Sequence, residues 1–320
     1  MGAAIGSNTC LATAEEVTYG TPVAMTRWYE FLDESLERTN NILTSNGIRC
    51  GGSRNLRRGS RRVISSRSGG GDVTLEVATS GFGRWFKHLL GGTPVITGAG
   101  PYTHVYPLGD LSGKSLCMQK VLRDSASTEI EAFNFHGCKI LSGEFSISVD
   151  QILQLALSID AEDVDTTTAG AAASYTNPTL FNFMGGTLNV GGSPVASVTD
   201  ASIKVTNNLK TDRYYLGSAG LKAEPIDSDF PTVEGSLSAE FISSATFYDR
   251  FAADTAAALS LVFVSGTSSL TISVPEVRFT GGTPTVGGPD IVVSDVPFEG
   301  QYDGTNAGIT ITYITPDATT

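Results

Sequence analysis

The chain has 320 residues, of which 40% are hydrophobic and 17% charged, with a formal net charge of −12. That composition builds a core and argues against disorder. The 36 glycines follow no Gly-X-Y period, which excludes collagen, and they separate short alternating runs as in an all-β protein with many turns. The acidic balance argues against a main task of gripping nucleic acid or an anionic membrane.

Met1 to Cys10 lacks the basic-then-apolar order of a secretion signal, and no apolar run is long enough to span a membrane. Cys10, Cys50, Cys117 and Cys138 stand singly without C-x-x-C spacing and read as reduced thiols, against disulfides or zinc. Asp72 to Val77 alternates as a half-buried strand. Phe82, Trp85, Phe86 and Leu89 make one apolar stripe on a short helix. From Glu144 to Asp150, Phe145, Ile147 and Val149 supply a buried face and Glu144, Ser146, Ser148 and Asp150 a wet one. Ser236 to Phe241 and Ile309 to Tyr313 repeat the strand pattern. Phe247 and Phe251 mark a second short helix, with Ser243 and Ser244 as candidate caps.

Two patterns recur at nearly equal offsets. Ser35-Leu36-Glu37-Arg38-Thr39-Asn40-Asn41 returns as Ser202-Ile203-Lys204-Val205-Thr206-Asn207-Asn208, and the strand opened by Gly71 returns at Gly235. Each copy of that strand leads into one of the two helices, then into further strands. An internal duplication explains this order. Ala161 to Pro178, without apolar period, reads as a linker. The expected organisation is a first domain at 1–160, a linker at 161–178 and a second domain at 179–320.

Between Arg49 and Arg67 lie seven arginines (Arg49, Arg54, Arg57, Arg58, Arg61, Arg62, Arg67) among glycines and serines, with no acid. This cationic loop admits three readings: binding nucleic-acid phosphates, solvation without a role, or docking onto an acidic surface of another copy. Self-docking is favoured because the rest of the chain is so acidic and the guanidinium fork matches carboxylates. Catalytic signals are lacking. Gly109 to Ser115 ends like a P-loop, but Leu108 stands where a glycine is required and a strand pattern follows. His88, His104 and His136 have no ligand spacing and read as packed or solvent-facing. No nucleophile elbow is present. No catalytic, cofactor or metal site is therefore expected.

Tyr19-Gly20-Thr21-Pro22, Trp28-Tyr29-Glu30-Phe31 and Glu34-Ser35-Leu36 are followed by the arginine loop and Gly70 to Val77. Then come His104, Gly109 to Leu116, Gly137-Cys138-Lys139-Ile140, Glu224-Pro225, Val296 to Gly300 and Ile309 to Tyr313. In this order the chain resembles the major tail tube proteins of long-tailed, non-contractile bacteriophages. The resemblance implies tube domains of two packed β-sheets, sandwich or barrel, with a flanking helix. It also implies self-assembly into stacked rings around a channel for double-stranded DNA, without specific DNA binding, catalysis or cofactor. The implied location is the virion tail, assembled in the bacterial host cytoplasm. Implied partners are the tape-measure, baseplate and tail-terminator proteins.

With two tube domains per chain, the expected ring is a trimer with approximate six-fold symmetry; the alternative is a hexamer of one enlarged domain. Arg54, Arg57, Arg58, Arg61, Arg62 and Arg67 are the candidate inter-ring contacts. Glu144, Ser146, Ser148 and Asp150 are the candidate lumen lining, with a second-half equivalent between Pro275 and Val293. The competing functional classes are a related baseplate or distal-tail ring protein and a β-sandwich surface-binding decoration protein.

Overall fold

The computed structural model describes residues 2–48, 59–281 and 283–320. The first half contains strands β1 (Cys10–Glu15), β2 (Arg27–Tyr29), β3 (Asp33–Glu34), β4 (Glu37–Thr44) and β5 (Arg62–Glu76), then helix α1 (Gly83–Leu90). It continues with β6 (Val95–Thr97), β7 (Tyr102–Pro107), β8 (Leu116–Arg123), β9 (Glu129–Ile147), β10 (Gln154–Ala161) and β11 (Asp163–Asp165). The second half contains β12 (Gly186–Val190), β13 (Ser193–Pro194), β14 (Val198–Thr206), β15 (Leu209–Lys210), β16 (Ile226–Asp227) and β17 (Thr232–Glu240). Helix α2 (Tyr248–Ala252) follows, then β18 (Ala257–Ser265), β19 (Ser268–Phe279), β20 (Val293–Gln301) and β21 (Thr310–Thr315). The protein is all-β with minor helix, as the alternating runs predict.

The halves share one pairing scheme, antiparallel throughout. In the first, β1 pairs β2 and β8, β9 pairs β8, β10 and β11, and β5 pairs β10, β3 and β4. In the second, β12 pairs β13 and β18, β19 pairs β18, β20 and β21, and β17 pairs β20 and β14. A helix follows β5 and β17 alike. The register matches too. Ser35 donates its N–H to the Asp72 carbonyl at 2.9 Å, and Ser202 stands opposite Ser236. On the other side Gly71 opposes Ile159 and Gly235 opposes Phe298. Both glycines are required for the same reason: a Cβ at Gly71 would overlap the Ser35 carbonyl oxygen, and one at Gly235 that of Ser202.

The halves are joined by strand pairing. Ser142–Ile147 of β9 pairs with β14, and β7 pairs with β21. One core runs through both. Helix α1 sits at the junction with Trp85, Phe86, Leu89 and Leu90 fully buried; the Phe86 ring lies 5.9 Å from Phe145 and 5.3 Å from Tyr313. Gly91, with φ of 75°, ends α1 in the left-handed conformation that glycine adopts freely. Two buried lysines tie the halves further. Lys139 on β9 reaches Glu224 at 2.6 Å and the Leu111 carbonyl at 2.5 Å, and Lys222 pairs with Asp160 on β10. Burial pushes the Lys139 amine down and the Asp160 carboxyl up, each opposed by its partner.

Three sequence expectations need correction. Residues 161–178 are not a free linker: β11 lies within them, Val164 is buried, and Gln119 and Asn134 hold the following turn at Ala169 and Thr168. Short polar segments gain structure here because side chains of β8 and β9 satisfy their backbone. Ser243 and Ser244 do not cap α2, whose N-cap is Phe247 without a side-chain bond. Strand β9 ends at Ile147; Ser148 accepts a turn bond from Gln151 N–H, Val149 is exposed and Asp150 has φ of 59°.

Gly71→Ala and Gly235→Ala should each destabilise the unassembled subunit by about 1–3 kcal/mol, the usual range for forced overpacking. Gly287→Ala, with open space around it, should shift the denaturant midpoint little. Glu224→Gln should cost about 3 kcal/mol, because it strands the Lys139 charge in the interior. Adding Lys139→Met should restore most of that loss in urea unfolding.

Candidate functional site

The pairing between the halves places six strands side by side in the order β20, β17, β14, β9, β10 and β5. Because side chains alternate, each cross-strand row shows one face only. One row reads Phe298, Gly235, Ile203, Phe145, Leu155 and Leu75, and its apolar side chains are buried. The rows to either side are polar: Glu299, Glu234, Lys204, Glu144, Ala156, Thr74, and Pro297, Ser236, Ser202, Ser146, Gln154, Glu76. None of these twelve is buried. Asp295 and Asp200 extend the acidic character, and hydrogen bonds from Ser148 and Thr199 hold the Asp200 carboxyl below its usual range. Lys204 is the one basic residue of these two rows. The result is one continuous, solvent-facing, mostly acidic and hydroxyl-bearing surface built from both halves.

Of the residues that the sequence nominates for this surface, Glu144 and Ser146 stand on it. Ser148 and Asp150 belong to the turn beyond β9. The second half contributes to this face through β14, β17 and β20; of the nominated range Pro275 to Val293, residues 275–279 belong to β19, the described residues between Thr280 and Val292 form no strand, and β20 begins at Val293. The missing signal was partnership: Ser236 and Ser238 were legible as a wet strand face, but a strand alone does not say which strands lie beside it.

Of the arginine segment, residues 62–67 belong to β5. Strands β4 and β5 form a hairpin arm that reaches Thr44 on one side and starts at Arg62 on the other. Arg49, Arg54, Arg57 and Arg58 lie outside the described residues. Arg61 reaches the Ser45 hydroxyl at 3.4 Å, and Arg62 stands opposite Thr44. Arg67 pairs with Asp163 of its own chain at 3.2 Å. Along the arm Ile42, Leu43, Val63 and Ile64 are exposed although apolar.

The remaining motifs have ordinary structural settings. Gly109 to Ser115 is a turn entering β8, with Ser112 N–H on the Asp110 carboxylate at 2.7 Å. His104 is buried between Tyr106 Oη at 2.9 Å and the Asp317 carbonyl at 2.8 Å. His88 is buried 3.6 Å from Glu15, whose carboxyl is held at about 2: burial alone would raise it, but the neighbouring His88 and the Lys87 amine, which donates to it at 2.6 Å, prevail. Among the described residues Cys10, Cys117 and Cys138 are free. Folding also brings Glu16, Cys117 and His136 together from distant parts of the chain, which no sequence spacing announced. Among the described residues no helix is long and apolar enough to cross a membrane.

A search of curated proteins gives no match. The family model described as phage tail tube protein matches residues 6–300, nearly the whole chain, and covers both halves and the polar face. An all-β subunit with a broad, acidic and hydroxyl-bearing sheet surface suits a structural component of a virion tail. The chain belongs to the phage tail tube protein family.

Proposed function

We propose that the chain polymerises as stacked rings of three copies, with the polar sheet face lining a channel that conducts double-stranded DNA. The observation that carries this reading is the shared pairing scheme of the two halves joined through one continuous polar sheet. Two tube-type units per chain make three chains equivalent to six units, with true three-fold and approximate six-fold symmetry. The edges support closure. Strand β14 is flanked by β17 and β9, whereas its counterpart β4 is paired on one edge only among the described residues. In the ring, the open edge of β4 meets the second half of the next copy, as β14 meets β9 within the chain.

The acidic face suits passage of DNA. Duplex DNA carries a negative charge about every 1.7 Å, so a basic lining would trap phosphates while an acidic and hydroxyl-bearing one repels them weakly. The β4–β5 arm joins neighbouring rings. An isolated two-stranded hairpin is marginal in water, and this one exposes Ile42, Leu43, Val63 and Ile64. Contact with another subunit would cover them and bring the arginine segment onto its acidic surface. Tape-measure, baseplate and tail-terminator proteins are the proposed partners at the tube ends.

Electron microscopy of purified protein should show hollow tubes or rings, and an isolated ring should have about three chain masses by native mass spectrometry. Six chain masses would refute the three-copy ring. Leu43→Ser combined with Val63→Ser should leave the subunit folded and suppress tubes. Replacing Arg57, Arg58, Arg61 and Arg62 with serine should weaken polymerisation further as salt rises; unchanged tube yield in both variants would remove the arm from the interface.

A further inference from the structure

We propose that Glu16, Cys117 and His136 form a structural Zn2+ site in the first half, with Asp165 orienting the histidine. Glu16 follows β1, Cys117 is on β8, His136 on β9 and Asp165 on β11, so the site sits where four segments of one sheet converge. Glu16, Cys117 and His136 are all buried, and their donor atoms lie within 4.8 Å of one another.

The geometry is that of a ligand set. Cys117 Sγ is 3.0 Å from Glu16 Oε1 and 3.5 Å from His136 Nδ1. A tetrahedral zinc with bonds of about 2.3 Å to sulfur and about 2.0 Å to nitrogen or oxygen has ligand-to-ligand edges of about 3.5 Å. One edge already fits, and the other opens by about half an ångström on metal uptake. Asp165 Oδ2 lies 2.6 Å from His136 Nε2. It therefore fixes the tautomer with the proton on Nε2 and turns the Nδ1 lone pair toward Cys117. Carboxylate, histidine and metal in that order form a recurring outer-shell arrangement.

Proton and charge accounting favour a cation at this position. Without metal, the single Cys117 thiol proton faces two acceptors, Glu16 Oε1 and His136 Nδ1, so one is left without it. Glu16 is a buried carboxylate whose partners are the N–H groups of Gly137 at 2.8 Å and Gly20 at 2.9 Å, the Ser115 hydroxyl at 2.5 Å and the Cys117 thiol. No lysine or arginine is among them. A divalent cation would replace the thiol proton, satisfy both acceptors and neutralise the cluster. Mixed sulfur, nitrogen and oxygen donors select zinc over calcium or magnesium. Water or the Thr21 carbonyl, 3.8 Å from Cys117 Sγ, would complete the shell. Every histidine and cysteine of the chain lies in the first half, so a three-copy ring would hold three such ions.

The test uses the full chain with any purification tag removed. After chelation, dialysis against Zn2+ and gel filtration, elemental analysis should give about one zinc per chain, and Co2+ in its place should show a thiolate-to-cobalt charge-transfer band. Cys117→Ser should abolish that band and the bound zinc, Asp165→Asn should weaken binding about 10–100-fold, and Cys10→Ser should change neither. Zinc well below one per chain in the wild type, or a cobalt complex without the thiolate band, overturns the site whether or not the variants fold.

Discussion

Strand β9 is the element on which the other pairings depend. Over its 19 residues it pairs β8 and β11 along its first part and β10 and β14 along its last. A strand that serves two sheets has its register fixed at several places at once. A one-residue slip in β9 would send Phe145 and Ile147 to solvent, bring Glu144 and Ser146 into the core, and misplace Lys139 from Glu224. The cost of such a slip, with several large apolar groups exposed and several polar groups buried together, far exceeds that of any single defect. The side-chain alternation of one strand is therefore transmitted to both halves.

The same constraint explains the surface. Neighbouring antiparallel strands share faces, so the polar residues of β9 align with those of β14, β17 and β20 on one side and β10 and β5 on the other. A polar face of this breadth forms because each strand sends every second side chain into a common core. Part of the chain's acidic composition is thereby placed: Glu299, Glu234, Glu144 and Glu76 lie on the open rows with Lys204 as their one base, while Lys139 and Lys222 are drawn inward to Glu224 and Asp160. Those buried pairs offer little net stability over apolar residues, but each holds one half against the other in one arrangement only.

The β4–β5 arm is the exception to this packing. It leaves the sheet, exposes apolar side chains and carries the arginine cluster, so the free subunit is incomplete at that point. Its counterpart around β14 is tied down by β9. The difference between β4 and β14 lies in what each edge finds beside it.

Much was legible in the sequence. The all-β class follows from period-two alternation, and α1 from the stripe of Phe82, Trp85, Phe86 and Leu89. Those signals are local, and local sterics and side-chain direction determine them. The sequence could not say that β9 would stop at Ile147, where Asp150 adopts a turn conformation, or that 161–178 would be held by Gln119 and Asn134. It could not say that Arg67 belongs to Asp163. Nor could it bring Glu16 into one buried cluster with Cys117 and His136, a hundred residues and more further along the chain. Strand order, register between halves and the meeting of distant side chains depend on contacts of high sequence separation, and only the closed tertiary structure supplies those.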